Sequence, residues 1–269
     1  MSSFLAAAIQ MNSQADLYYN MKQARQFVEQ ASHTGALLVA LPENFAFLGD
    51  EAARLKQADD ISEIVVESLS EWAKEFNIYI IGGGYPVRAD GSKLFNRAIL
   101  VSPEGKIVAS YDKIHLFDVE LSTEESYKES DLVQSGSKTA IVYESEELAN
   151  IGLSICYDIR FPELYRQLSE KGAELLCVPA AFTRPTGEAH WEILLRCRAI
   201  ENSAYLIAPA QTGKHGKKRE TYGHSMIVDP WGTVLADAGS EPGIVTAEIN
   251  LEKLKEIRRK FPSLKHRIL

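Results

Sequence analysis

Three side chains in this 269-residue sequence have types and positions suited to covalent chemistry on a carbonyl group: Cys156, Glu43 and Lys113. Cys156 closes the apolar run Asn150-Ile151-Gly152-Leu153-Ser154-Ile155-Cys156, and Tyr157-Asp158-Ile159-Arg160-Phe161-Pro162-Glu163 follows it. Proline is well tolerated in the first turn of a helix, so the cysteine falls at a strand-to-turn junction. A side chain there is presented at the end of a sheet beside free backbone N–H groups, which suits thiolate attack with an adjacent anion-stabilising donor. The alternative is a small buried strand residue, as most free cysteines are. Cys177, inside Leu175–Val178, and Cys197, in mid-helix, read as plain core.

Glu43 follows Leu37-Leu38-Val39-Ala40-Leu41-Pro42, a carboxylate at the end of an apolar strand. In open α/β sheets, ligands meet the fold at the carboxyl ends of strands. A carboxylate walled by apolar groups is expected to have its pKa raised toward neutrality and to act as a general base; a solvated loop acid or helix cap is the plainer alternative. Lys113, in Ser110-Tyr111-Asp112-Lys113-Ile114-His115-Leu116-Phe117-Asp118, can hold a thiolate and a developing oxyanion, or be an ordinary surface lysine. Other motifs carry less. Gly82-Gly83-Gly84-Tyr85 lacks the spacing of a dinucleotide loop, and Gly152-Leu153-Ser154-Ile155-Cys156 lacks the last glycine of a nucleophile elbow. The six histidines show no zinc spacing; His115 and His224 read as structural, and no metal is predicted.

The elements that must position these groups alternate. Strand-length apolar runs occur at Phe4–Met11, Ala36–Leu41, Ile78–Ile81, Ala98–Val101, Ile151–Tyr157, Leu175–Ala180, Ala204–Ala210, Ser225–Val228 and Ile244–Ile249. Helical periods fall at Tyr19–His33 and Ile61–Phe76. Strands alternating with helices predict an α/β fold. Phe95–Val101 and Lys106–Tyr111 flank Ser102-Pro103-Glu104-Gly105 and predict an antiparallel hairpin; a second is expected over Tyr222–Val228 and Thr233–Ala236. The sheets are therefore expected to be mixed. With no long linker or internal repeat, residues 1–269 are read as a single domain. A helix from about Gly187 has two apolar stripes, Trp191/Leu194/Leu195 and Ile193/Cys197/Ile200/Ala204. Such a helix must bury both faces, and a partner subunit is the inference for the second.

Composition excludes several classes. Lys and Arg number 29 against 37 Asp and Glu, a net charge of −8, which argues against a nucleic-acid binder that relies on a basic face. The exception is the basic run Lys214–Arg219. No apolar run approaches the ~18 residues of a membrane span. Three cysteines without paired spacing, and no basic stretch at Met1-Ser2-Ser3-Phe4, predict a soluble cytoplasmic protein.

Together, Leu41-Pro42-Glu43-Asn44, Tyr111-Asp112-Lys113-Ile114-His115-Leu116-Phe117 and Ser154-Ile155-Cys156-Tyr157-Asp158-Ile159-Arg160-Phe161-Pro162-Glu163 resemble the Glu, Lys and Cys motifs of the nitrilase superfamily, in that family's order. The resemblance implies an α-β-β-α sandwich with two mixed sheets, pairing into an α-β-β-α-α-β-β-α homodimer, and hydrolysis of a carbon–nitrogen bond through a thioester. Within the superfamily the chain is most similar to the Nit branch and its deaminated glutathione amidases, on Gly187-Glu188-Ala189-His190-Trp191-Glu192, Ala210-Gln211-Thr212-Gly213-Lys214-His215, Lys218-Arg219-Glu220-Thr221-Tyr222-Gly223-His224-Ser225 and Val228-Asp229-Pro230-Trp231-Gly232. A second active-site glutamate is implied between Lys113 and Cys156. Glu129, in Tyr127-Lys128-Glu129-Ser130, matches best and Glu120 is the fallback.

On that resemblance, Glu43 accepts the Cys156 proton, Lys113 and the Tyr157 backbone N–H hold the oxyanion, and Glu129 helps position water; no cofactor is required. The implied small-molecule substrate is deaminated glutathione, cleaved to 2-oxoglutarate and cysteinylglycine. Its carboxylates need positive partners. Arg160 is a candidate, against pairing with Glu163 or capping a carbonyl; Lys217 and Arg219 are candidates, against a mobile exposed loop; Phe182 and Thr186 are candidate pocket walls. The alternatives are an ω-amidase on 2-oxoglutaramate or 2-oxosuccinamate, more distantly an N-carbamoyl amino-acid hydrolase, and, from another class, a non-catalytic binding or scaffold protein on the same fold.

Overall fold

The computed structural model describes residues 2–90, 92–121, 126–216 and 219–268. The first half of the chain supplies five strands of a six-stranded sheet: β1 (Ser3–Gln10), β2 (Leu38–Ala40), β3 (Tyr79–Arg88), β4 (Leu94–Val101) and β5 (Ile107–Asp112). Two short strands, β6 (Asp118–Glu120) and β7 (Ser126–Lys128), pair beside it. The second sheet comes from β8 (Ile141–Tyr143), β9 (Ile151–Leu153), β10 (Leu175–Cys177), β11 (Tyr205–Ala208), β14 (Met226–Val228) and β15 (Val234–Asp237). Between β11 and β14 the hairpin β12 (Thr212–His215) and β13 (Arg219–Tyr222) projects separately, and β16 (Gly243–Asn250) returns to the first sheet. The strand orders are β16-β1-β2-β3-β4-β5 and β15-β14-β11-β10-β9-β8. In both sheets the middle strands, β1-β2-β3 and β9-β10-β11, run parallel and the flanks antiparallel, so both are mixed.

Alternation along each strand sorts the side chains into layers. On β1, Ala6 and Ala8 face the second sheet, in one core with Leu153, Leu175 and Ile207. Ala7 and Ile9 face the opposite way, onto α1 (Leu17–His33) and α3 (Ala58–Phe76). Asp16 caps α1 by accepting from the Tyr19 N–H, and Met21, Ala24 and Val28 make its buried stripe. The short α2 (Glu51–Lys56) precedes α3, and α6 (Leu251–Lys260) follows β16. α4 (Pro162–Glu170) and α5 (Arg184–Asn202) cover the outer face of the second sheet through Leu164, Leu168, Trp191 and Leu195. The order of layers is α-β-β-α.

Several expectations need correction. The strand predicted to run to Tyr157 stops at Leu153, and residues Cys156–Arg160 form a 3-10 turn. In the second hairpin, Tyr222 does not lead into β14; it pairs with Thr212 in the separate β12–β13 hairpin. Cys197, read as core, is exposed on α5, beside Ile193 (70% exposed) and Ile200 (49%). Ala204 is buried but lies beyond the helix.

Candidate active site

The carboxyl ends of the parallel strands converge on one cavity, lined among others by Glu43, Lys113, Glu129 and Cys156. Glu43 follows β2 by three residues, Cys156 follows β9 by three, and Ala181 follows β10 by four. Lys113 is the residue after β5, its backbone N–H held by the Asn96 carbonyl at 2.9 Å. None of these contacts is local in sequence; the packing of the two sheets makes them.

Glu43, 2% exposed, accepts at Oε1 from Asn96 Nδ2 (2.8 Å) and Lys113 Nζ (3.1 Å), and at Oε2 from the Ala181 N–H (3.0 Å). Gly84 makes room for it: at a φ of +40, a Cβ there would sit 2.7 Å from both Glu43 Cγ and Asn96 Oδ1. Gly82 and Gly83 admit other neighbours, Leu69 at the first and Pro179 with the Leu41 carbonyl at the second. Lys113 Nζ also donates to Glu129 Oε1 (3.1 Å) and Oε2 (2.8 Å), and the Phe117 N–H donates to Glu129 Oε2 (2.7 Å). Of the two candidate second glutamates, Glu129 is thus brought to the lysine, while Glu120 lies exposed on β6.

Cys156 holds a left-handed backbone conformation, φ +48, at the first position of its 3-10 turn. Its N–H donates to the Pro179 carbonyl at 2.9 Å, and its thiol interacts with the Glu43 carboxylate. Tyr157 is the second residue of the turn and lines the cavity; its N–H belongs to the set that intrahelical bonding leaves over. Asp158, with no exposed surface, ties the turn down. It accepts from the Ile155 N–H (2.9 Å), Tyr111 OH (2.7 Å) and the His115 N–H (3.1 Å), and meets His115 Nδ1 at 2.7 Å. The Cys156 turn and the lysine-bearing segment are therefore fastened to one buried carboxylate. Nothing in residue spacing marked Asp158 or Asn96 for these roles.

The electrostatics correct one expectation. Burial does push the Glu43 carboxyl up, but the Lys113 and Arg219 cations and the hydrogen bonds outweigh it and hold the group below the ordinary carboxylate range. Burial, reinforced by the Glu43 charge, pushes the Cys156 thiol well up. Lys113 stays protonated because the Glu129 and Glu43 charges overcome its desolvation. The resting pair is therefore thiol and carboxylate, with the proton on sulfur.

The predicted substrate contacts divide. Phe182, Thr186 and Arg219 line the cavity. Arg160 is not among its lining residues: its guanidinium sits 5.3 Å over Phe182 and 5.9 Å over Tyr157 and meets His190 Nδ1 at 3.3 Å, rather than Glu163. Lys217 lies outside the described residues. His215, counted in the basic run, is buried between the Ser13 carbonyl and Thr221 Oγ1, and burial pulls its pKa down to about 4, so it carries no charge near neutrality. Among the lining residues that sequence reasoning missed is Arg54, on α2, whose Nε and Nη2 are buried without a partner among the described residues. Among the described residues, no group of three His, Cys, Asp or Glu is placed to hold a metal ion. No helix among them is long and apolar enough to cross a membrane.

The family model for carbon-nitrogen hydrolases matches residues 5–259. The chain is 50% identical over 270 residues to a deaminated glutathione amidase of Synechocystis, covering 100% of this chain and 99% of that one. It is 40% identical to the deaminated glutathione amidase of Homo sapiens, covering 98% of this chain and 82% of that one. The crystal structure of the C. elegans NitFhit protein superposes with a TM-score of 0.94 at 38% identity, covering 100% of this chain and 66% of that one.

Proposed function

Given that the chain belongs to the carbon-nitrogen hydrolase family, in the Nit branch of the nitrilase superfamily, we propose that it cleaves the amide bond of deaminated glutathione with Cys156 as nucleophile, Glu43 as general base and acid, and Lys113 and the Tyr157 N–H as oxyanion donors. The observation that carries this reading is the convergence of Glu43, Lys113, Glu129 and Cys156 at the carboxyl ends of the parallel strands, on one cavity.

The proton on sulfur dictates the first step. A neutral thiol is a poor nucleophile, so proton transfer to Glu43 accompanies formation of the bond between Sγ and the carbonyl carbon. Charge develops on the carbonyl oxygen. All three Lys113 N–H donors are occupied, one by Glu43 and two by Glu129. Loosening the two-point grip of Glu129 frees one donor for the oxyanion while the ion pair persists. Collapse expels the amine of cysteinylglycine, which takes the proton from Glu43. Water then attacks the thioester, gives a proton to Glu43, and releases 2-oxoglutarate as the thiol is re-formed. Glu129, on the far side of Lys113, acts through the lysine and in positioning water.

The test is a comparison of two substrates: release of cysteinylglycine from deaminated glutathione and of ammonia from 2-oxoglutaramate. The expected result is a kcat/KM favouring deaminated glutathione. Preference for 2-oxoglutaramate would make the enzyme an ω-amidase with the same machinery, and turnover of neither by folded protein would move the reading to a non-catalytic role.

We read residues 1–269 as a single hydrolase domain acting in the cytoplasm as a homodimer. The dimer reading rests on the exposed row Ile193, Cys197 and Ile200 on α5, with exposed Trp231 and Phe261 also apolar. An apolar helix face of this kind calls for a covering surface. Ile193→Glu/Ile200→Glu is expected to shift sedimentation equilibrium from dimer to monomer; a wild-type monomer at micromolar concentration would remove this reading.

A further inference from the structure

Beyond the residues that make and break bonds, the cavity contains two guanidinium groups with unsatisfied donors. Arg54 enters from α2 and Arg219 from β13. Arg54 Nε and Nη2 and Arg219 Nε are buried with no hydrogen-bond partner among the described residues. Arg219 is otherwise anchored: Nη2 donates to the Ala181 carbonyl at 3.2 Å, and the guanidinium lies 5.8 Å over the Tyr127 ring. Among the described residues, Arg54 Nε and Nη2 have no such anchor. A guanidinium has five donors in a rigid fork, and leaving them unpaired away from water is costly unless a ligand supplies the acceptors.

The charge count points the same way. With Cys156 neutral, the cavity lining holds Glu43, Glu51 and Glu129 against Lys113, Lys128, Arg54 and Arg219, one positive charge in excess. The two guanidiniums also lie close enough to oppose one another electrostatically. A wall that keeps two like charges together with open donors is built for an anion placed between them. The alternative, that Arg54 exists to neutralise Glu129 and Glu43, leaves its donors unexplained, because it bonds to neither.

We infer that Arg54, with Arg219 beside it, is the receptor for the carboxylate of the substrate's acyl portion, and so determines that the enzyme takes an anionic amide rather than a neutral one. This rests on the proposed amidase function and names the recognition element within it. The fork of Arg54 grips the carboxylate in two-point fashion, Arg219 Nε supplies a further donor, and the amide carbonyl at the other end of the acyl chain is delivered to Cys156. Arg219 thereby serves the acyl end rather than a distal glycine carboxylate, and the bound anion offsets the excess positive charge.

The experiment uses two amides differing only at that end: 2-oxoglutaramate, and 4-oxopentanamide, in which a methyl group replaces the carboxylate. Both release ammonia. In Arg54→Met the ratio of their kcat/KM values is expected to fall by about 30-fold or more, the loss typical when one partner of a buried charge pair is removed. Arg54→Lys, which keeps the charge but not the fork, is expected to recover part of it. A ratio unchanged in Arg54→Met means Arg54 acts on the catalytic charges or the fold, and overturns the inference. A second readout does not depend on turnover: calorimetric binding of 2-oxoglutarate to Cys156→Ala protein, with and without Arg54→Met or Arg54→Lys. Weakening by about 30-fold or more with methionine, and less with lysine, supports the carboxylate receptor even if neither amide is hydrolysed, in which case the proposed function fails and the anion site stands. An unchanged dissociation constant overturns it.

Discussion

Cys156→Ala and Cys156→Gly are both expected to abolish amide hydrolysis, by at least about 10⁴-fold, yet the glycine variant is expected to be the more stable of the two by about 1 kcal/mol. Loss of activity follows from the proposed covalent route: without Sγ there is no thioester, and the Glu43 carboxylate has no thiol to deprotonate. The order of stability follows from the backbone. Cys156 sits at φ +48, where a Cβ crowds the adjoining carbonyl and only glycine is at ease. In a helix interior glycine is the worse choice than alanine; here the sign reverses. The strain is held by fixed partners on either side, the Pro179 carbonyl that accepts from the Cys156 N–H and the Asp158 carboxylate that accepts from the Ile155 N–H. It aims the thiol at Glu43, so a position optimised for stability would not carry this chemistry. Urea denaturation of the two variants, with their slopes checked for equality, measures the difference. Alanine proving equal or better would mean that the backbone is not left-handed in solution, and turnover surviving in either variant would remove Cys156 as nucleophile.

Lys113→Met is expected to be damaging on two counts. Catalysis loses the proposed oxyanion donor, by itself about 10²–10³-fold in kcat, and loses the cation that keeps Glu43 ionised, so a fall of at least about 10³-fold is expected. Folding loses the ammonium between two carboxylates. Lys113 is 2% exposed, and its removal leaves the Glu43 and Glu129 charges buried without it, a change that typically costs about 3–5 kcal/mol. The two losses have different pH signatures. In the variant, the Glu43 carboxyl, buried and without the Lys113 cation, is expected to titrate above its unfolded value. An acid whose folded pKa is raised binds more protons folded than unfolded between the two values, so its contribution to stability declines as pH rises through that window. The deficit of Lys113→Met relative to wild type should therefore be largest near neutral pH and shrink as pH is lowered toward 4. Wild-type Glu43 behaves in the opposite sense: its depressed pKa contributes stability above the unfolded value that is lost as pH falls through the folded one. Melting temperatures of both proteins across that range read this directly. A deficit independent of pH would mean that the carboxylates are not left facing one another.

Much of the architecture was legible in residue order. The i, i+3, i+4 pattern of α1 and α3, the Ser102–Gly105 turn and the runs that became β1, β4 and β16 are local signals, written in a handful of adjacent residues. Glu43, Lys113 and Cys156 were legible for the same reason, since each sits in a short distinctive segment next to a strand end. What residue order could not show was how groups far apart in sequence would meet. Asn96 holding Glu43, Asp158 joining the Cys156 turn to His115, and the choice of Glu129 over Glu120 each depend on which strand faces which across the two sheets. Arg54, in an unremarkable exposed-looking stretch, and Arg219, at the end of a basic run that reads as a mobile loop, become cavity residues only when α2 and the β12–β13 hairpin close over the strand ends. Protonation belongs to the same category. Apolar neighbours in sequence argued that Glu43 should be raised in pKa, but the sign is set by opposing sums of desolvation and charge, and the cations that decide it, 70 and 176 residues away, are brought in by the tertiary fold alone.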